Sequence, residues 1–222
     1  MLQVDFACSM VGGGVLGNGL VQEEILFLMN PELIVARLFT EKLTDNECLK
    51  ITGAQQYSEY VGYSRDFKWK GPHSEKLPRD GWERLHRKIV AIDALNFKNP
   101  KEQYQKHKIR RELNKAFIGF KEEGKPDKLP AIATGNWGCG AFHGDSILKA
   151  LIQMMAAAVA QRDLVFFTFG DRHLEDAVWD IYTHLRDGKK TVGQIYDFLA
   201  AYCHQVAYGE KTDLRRSLKC AL

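Results

Sequence analysis

An α/β fold, with a mixed sheet between helical layers, is what this 222-residue sequence predicts. Two observations carry the prediction. Short β-prone runs alternate with longer helical patterns along the chain, and two glycine-rich stretches each follow a strand pattern and lead into a helical one. No internal repeat or low-complexity linker interrupts the alternation.

The first strand is LQVDFA, and it runs into VGGGVLGNGLVQEE, residues 11–24. Gly12, Gly13 and Gly14, with Gly17 and Gly19 behind them, allow positive φ and close approach to a ligand. Successive N–H groups can then face one concavity, which suits an anion at the start of the helix QEEILFLM. Glu23 and Glu24 do not suit a purely phosphate-binding loop, because they repel the ligand; they point to an acid, a base or a hydroxyl holder. Neighbouring helix positions point about 100° apart, so the two cannot flank a bond as a glycosidase pair does. One is expected to do chemistry and the other to hold a sugar. The helix N-terminus lowers a carboxyl pKa, whereas burial and the neighbouring charge raise it. The same residues also suit an ordinary glycine turn with an acidic helix start.

Asn30, Pro31 and Glu32 read as N-cap, first helical position and first-turn acid of a helix that stops before Thr44. Residues 48–52, CLKIT, read as a strand ending at Gly53. Tyr57, Tyr60 and Tyr63 recur every three residues, which suits either an aromatic stripe on a helix or ligand contacts. Residues 64–85, with Trp69 and Trp82, read as an exposed excursion, and KIVAIDAL as a buried strand whose Asp93 needs a partner. From Lys101 to Phe120 a basic helical pattern, with Lys106, His107, Lys108, Arg110, Arg111 and Lys115, reads as a solvated face. EEGKPDK then turns the chain.

LPAIATGNWGCGAFHGD is the second rich stretch: a strand over 129–133, a loop with glycines 135, 138, 140 and 144, then the helix SILKALIQMMAAAVA. Two such loops can grip a diphosphate; a tight turn for close helix–sheet packing has the same pattern. LVFFTF, 164–169, reads as a central strand. HLEDAVWDIYTHL and TVGQIYDFLAAYCHQV read as amphipathic helices joined by DGKK, and the tail after Tyr208 as polar and loose.

Composition narrows the class. An apolar content of 45% with 27% charged residues is that of a globular protein, and a net charge of +3 tolerates a polyanion without announcing one. The five cysteines, Cys8, Cys48, Cys139, Cys203 and Cys220, are odd in number and contain no C-x-x-C pair. That argues against a disulfide framework and a zinc site and for a reducing compartment. No apolar run approaches the roughly 20 residues that span a bilayer.

The residues themselves resemble a family. GGG, a short spacer and QEE, preceded by VDFA and followed by NPELIVARLFTE, are similar to the signature of the poly(ADP-ribose) glycohydrolase catalytic domain, a macrodomain relative. ITGAQQYSEYVGY, IVAIDAL, RRELNKAFIGF, ATGNWGCGAF and FFTFGD resemble further family segments in the family's order, over nearly the whole chain. The resemblance implies a macrodomain-like three-layer fold, with residues 1–208 a partial catalytic domain whose first strands are missing and 209–222 a polar tail.

It also implies an activity: hydrolysis of ribose–ribose O-glycosidic bonds in poly(ADP-ribose), releasing ADP-ribose. Glu24 matches the family's general acid/base, Glu23 a ribose-hydroxyl holder and Asp5 a third acid near the same site. Gly12, Gly13, Gly14 and Gln22 fall among the implied substrate-binding positions, with Gly13 and Gly14 N–H groups on the diphosphate. Tyr63 matches a tyrosine that covers bound ADP-ribose, with Tyr60 beside it. Asn136, Gly138, Cys139 and Gly140 resemble a diphosphate loop, Phe142 an aromatic beside the distal ribose, and Phe169 a residue that stacks on adenine. Cys8 stands where the family has an asparagine that orients the ligand, and His143 where glycine is usual.

No cofactor and no metal are implied. The implied partners are poly(ADP-ribose) and ADP-ribosylated proteins, met by a monomer with no membrane and no direct DNA contact, in the nucleus or cytoplasm. Two other readings remain: an inactive relative that binds ADP-ribose or a protein partner, and hydrolysis of mono(ADP-ribose) from protein, against which QEE speaks.

Overall fold

The computed structural model describes residues 1–122, 124, 129–209 and 213–222. The chain divides into two compact units, Met1–Ala94 and Leu95–Leu222.

In the first unit β1 (Leu2–Ala7) leads through the glycine loop to α1 (Gln22–Met29). β2 (Leu49–Gly53), the hairpin strands β3 (Ser58–Val61) and β4 (Lys68–Pro72), and β5 (Leu85–Asp93) follow. β5 lies between β1, which it pairs in parallel, and β2, which it pairs antiparallel, so the sheet is mixed as expected. Ile89, Val90, Ala91 and Ile92 are all buried, the mark of a strand covered on both faces. Phe27 and Leu33 pack on Ala7, Ile89 and Ala91, each large side chain contributing about 1.5–3 kcal/mol by its burial.

Two expectations change here. The helix after Asn30 is a 3-10 helix, Pro31–Leu38, without a side-chain cap. Asn30 is already committed: its backbone N–H and its side-chain amide both donate to the Leu26 carbonyl, closing α1. The tyrosine repeat is neither helical nor core. Tyr60 lies on β3, and Tyr57, Tyr60 and Tyr63 are all exposed.

In the second unit α2 (Lys106–Phe120) precedes β6 (Ile132–Gly135), α3 (Ser146–Val159) and β7 (Leu164–Phe167). β6 and β7 are parallel, with α3 as their crossover. β7 stands at a sheet edge rather than at its centre, because no strand pairs with its far side among the described residues. The basic run is only partly a solvated face: Lys115 is buried, and Arg111 turns onto Glu112 at 2.7 Å.

α4 (Arg172–Asp187) and α5 (Val192–Ala207) are the two amphipathic helices expected. Residues 213–222 of the expected loose tail are ordered as a helix. α6 (Leu214–Ala221) is capped by Asp213, buries Leu214 and Leu218, and ties to Asp180 of α4 through Arg215 at 2.7 Å and Lys219 at 2.8 Å. The EEGKPDK turn falls largely outside the described residues. Among those residues no helix is long and apolar enough to cross a membrane.

Candidate active site

Three carboxylates converge where β1 gives way to α1. Asp5 is 0% exposed, Glu23 1% and Glu24 5%. An unpaired buried carboxylate is costly, and the glycine loop supplies the partners. Glu23 accepts from the Cys8 N–H at 2.8 Å and the Gly12 N–H at 2.5 Å. Glu24 accepts from the Gly14 N–H at 2.9 Å and, reaching back over the helix start, from the Val21 N–H at 3.0 Å.

The loop therefore wraps its own acids. The Gly13 N–H is also engaged, by the Met10 carbonyl at 3.1 Å. The Gly13 and Gly14 N–H groups, expected to face a diphosphate, donate here to the Met10 carbonyl and to Glu24. Glycine is required here for proximity as well as conformation. Gly13 has φ +46, and a Cβ on it would stand 2.5 Å from Glu24 Oε1 and 2.8 Å from Glu23 Oε2.

Gln22 is turned onto β1, where its side-chain carbonyl accepts from the Phe6 N–H at 2.8 Å and its amide donates to the Val4 carbonyl at 3.2 Å. Arg37 was not singled out by the sequence, where it is one cation in an amphipathic pattern. Its guanidinium donates to the Gly13 carbonyl at 2.7 Å and the Val11 carbonyl at 3.3 Å, bracing the loop from the 3-10 helix.

Burial dominates the electrostatics. It raises Asp5 well above the usual carboxylate range, with Glu23 and Glu24 adding to the rise. It carries Glu23 from 4.5 to about 7, against the lowering effect of the Cys8 and Gly12 N–H groups. The Cys8 thiol is pushed up to about 12 by burial and by the same two glutamates, so it is neutral. Asp5 accepts no hydrogen bond among the described residues. Although the Tyr63 side chain is more exposed than covered, partial desolvation raises its phenol, with the Gln22 backbone lowering and Glu24 raising it, which puts Tyr63 beside the first turn of α1.

The second unit carries the other glycine loop. The N–H groups of Gly138, Gly140 and Phe142 donate to nothing among the described residues. Asn136 Oδ1 is buried without a hydrogen-bond partner among the described residues. Cys139 has its thiol pushed up to about 12 by burial. Phe142 is half-buried, its carbonyl accepting the Phe97 N–H at 3.0 Å. His143 takes φ +58, the left-handed region that explains why glycine suits this position.

Phe169, at φ +55, is 69% exposed and lies against Gly135. Under the loop, the Lys149 amine stands 4.2 Å from the Trp137 ring centre and pairs with Glu112. Neither residue of that buried pair carried a signal in the sequence, where Glu112 reads as part of a charged helical pattern and Lys149 as the lone charge of an apolar, alanine-rich helix.

Residues 1–176 match the family model described as Poly (ADP-ribose) glycohydrolase (PARG), Macro domain fold. The chain belongs to the poly(ADP-ribose) glycohydrolase family. The α/β, macrodomain-like fold expected from the sequence is the fold of that family. Among its relatives, Poly(ADP-ribose) glycohydrolase 1 of Caenorhabditis elegans is 42% identical over 89% of this chain and 27% of its own length. Poly(ADP-ribose) glycohydrolase 2 of the same organism is 38% identical over 94% of this chain and 45% of its own length. Poly(ADP-ribose) glycohydrolase 1 of Arabidopsis thaliana is 33% identical over 93% of this chain and 50% of its own length. The chain thus spans between about a quarter and a half of these poly(ADP-ribose) glycohydrolases.

Proposed function

We propose that this chain hydrolyses the ribose–ribose O-glycosidic bond of poly(ADP-ribose) and releases ADP-ribose, with Glu24 moving the proton. The observation that carries the reading is the buried cluster of Asp5, Glu23 and Glu24, gripped by the glycine loop. Family membership and the names of the relatives support the substrate.

Glu24 protonates the leaving ribose oxygen as the neighbouring anomeric carbon gains oxocarbenium character, then takes a proton from the attacking water. Glu23, fixed at both oxygens by Cys8 and Gly12, holds ribose hydroxyls. Two acids beside Glu24 hold protons near neutral pH: burial lifts Glu23 to about 7 and Asp5 above its usual range. Tyr63 covers the ligand and Tyr60 stands beside it. For the second unit the family resemblance supports a diphosphate loop of Asn136, Gly138, Cys139 and Gly140, with Phe142 for the distal ribose and Phe169 for the adenine.

Gln22 serves the site by fixing the start of α1 to β1. A neutral Cys8 thiol in place of the family's asparagine weakens ligand orientation by about 0.5–1.5 kcal/mol, one ordinary hydrogen bond. The substrate is met as free polymer or on ADP-ribosylated proteins, by a monomer without direct DNA contact. Free thiols at all five cysteines support an intracellular setting, nuclear or cytoplasmic.

The test is release of ADP-ribose from purified polymer, run beside Glu24→Gln, which keeps an oxygen for the Gly14 N–H. The variant should be slower by about 100-fold or more, the size of a general acid/base contribution. An undiminished rate in Glu24→Gln removes the assignment of Glu24. No release by the folded wild-type chain favours a binder of ADP-ribose instead.

A further inference from the structure

The first unit projects a surface on the hairpin of β3 and β4, of which the chemistry above uses only Tyr60. The register sets Tyr60 opposite Trp69, so the two rings share one face. Trp69 is 63% exposed, yet its indole is pinned, donating its N–H to Ser58 Oγ at 3.1 Å. Tyr60, 44% exposed, stacks on Phe67 with ring centres 5.7 Å apart.

The connection between the strands is tight. Gly62 has φ +78, and a Cβ there would stand 1.9 Å from the Asp66 carbonyl oxygen, so no other residue fits. β3 packs on α1, and Tyr63, which opens the turn, lies beside Gln22 and Glu24. A path of exposed aromatic rings thus leads outward from the acids through Tyr63 and Tyr60 to Trp69.

Cations outnumber acids on this path, with Arg65, Lys68 and Lys70 against Glu59 and Asp66. Lys70 and His73 are turned to Glu59, at 3.6 and 3.5 Å. Arg65 and Lys68 are exposed and have no carboxylate partner among the described residues. A pinned, solvent-facing indole with free cations nearby suits a ligand that carries a flat base and phosphate on the same strand.

We propose that the Tyr60–Trp69 face is a subsite for the ADP-ribose repeat that follows the one at the acids, its adenine on the Trp69 indole and its diphosphate drawn to Arg65 and Lys68. The inference rests on the proposed function and adds to it: the chain reads polymer over free ADP-ribose through the hairpin.

The experiment compares affinity for ADP-ribose with affinity for a purified two-repeat oligomer, by calorimetry in the Glu24→Gln background that stalls turnover. The oligomer should bind tighter, and Trp69→Ala should shrink that preference about fivefold to tenfold, the lower range for one base–aromatic stack. Trp69→Phe should restore most of it. An unchanged preference in Trp69→Ala, or no preference to begin with, overturns the subsite. Equal binding of an oligoadenylate of matched charge overturns it in favour of a nucleic-acid surface. Failure of ADP-ribose to bind at all counts against the proposed function, whereas oligomer binding that still depends on Trp69 upholds the hairpin.

Discussion

The two glycine-rich loops share an order of strand, loop and helix, yet their backbone donors point in opposite senses. In the first, the N–H groups of Cys8, Gly12, Gly14 and Val21 all go to Glu23 and Glu24. In the second, those of Gly138, Gly140 and Phe142 have no acceptor among the described residues, and the loop rests on a buried cation, Lys149, beneath Trp137. The helix start decides the difference. α1 begins with two acids that need donors, whereas α3 begins with Ser146 and Ile147 behind an Asp145 cap that already accepts the Leu148 N–H at 2.8 Å. A run of glycines therefore gives a chain the freedom to present N–H groups, and the neighbouring charges decide to whom.

The contrast is broken most severely at Lys149. Its amine pairs with Glu112, itself buried, which also accepts from Arg111 at 2.7 Å and the Leu95 N–H at 3.2 Å. Lys149→Met keeps the length of the side chain and its contact with Trp137 but removes the cation from one carboxylate oxygen, leaving Glu112 to Arg111 and the Leu95 N–H. Removing one partner of a buried pair costs about 3–5 kcal/mol, so the urea midpoint should fall sharply. A midpoint near that of wild type would mean that the second loop does not depend on its cation.

The first loop is expected to weaken by a different route, through pH. Glu23 has its folded pKa raised from 4.5 to about 7, so between those values the folded state holds a proton that the unfolded state has released. Stability from this group is complete below about 4.5 and is lost as pH climbs through about 7. At about 1.4 kcal/mol per pH unit, the loss approaches about 3 kcal/mol. Asp5, raised by burial and by both glutamates, acts with the same sign. Unfolding free energy measured across this window should fall, and Asp5→Asn should flatten the slope. A wild-type slope of opposite sign would show that the acids are not held neutral.

How much of this was legible depends on the kind of signal. β1, α1, β2, β5, α3, α4 and α5 follow from periodicity and bounding glycines, whereas residues 11–24 suit a site and an ordinary acidic helix start equally until the family resemblance of GGG and QEE is added. What periodicity cannot report is who takes a given hydrogen bond. Asn30 reads as an N-cap, but its amide closes the preceding helix. The tyrosine spacing of three mimics a helix because strand, bulge and turn happen to separate the rings by that interval. LVFFTF is apolar enough for a central strand and still stands at an edge. α6 was missed because only Leu214 and Leu218 are buried in an otherwise polar segment. Arg37 and Lys149 act through contacts with residues 24 and 37 positions away, a distance at which sequence pattern is silent.

The finest test of the contrast is one methyl group placed in each loop. At Gly13 an alanine Cβ meets Glu24 Oε1 at 2.5 Å and Glu23 Oε2 at 2.8 Å, in a backbone with φ +46 that alanine adopts poorly. The acids cannot retreat without losing the N–H groups that hold them, so Gly13→Ala should cost about 2 kcal/mol, as local strain of this kind does, and lower any hydrolytic rate with it. At Gly140 a Cβ meets nothing within 4 Å, and the backbone is not left-handed. There alanine narrows the unfolded ensemble without a clash, so Gly140→Ala should be neutral or raise stability by up to about 1 kcal/mol. The two variants thus differ in sign, and paired denaturation curves read the sign directly. Equal losses at both positions would mean that the second loop is as closed as the first, and its free N–H groups would then not be available to a diphosphate.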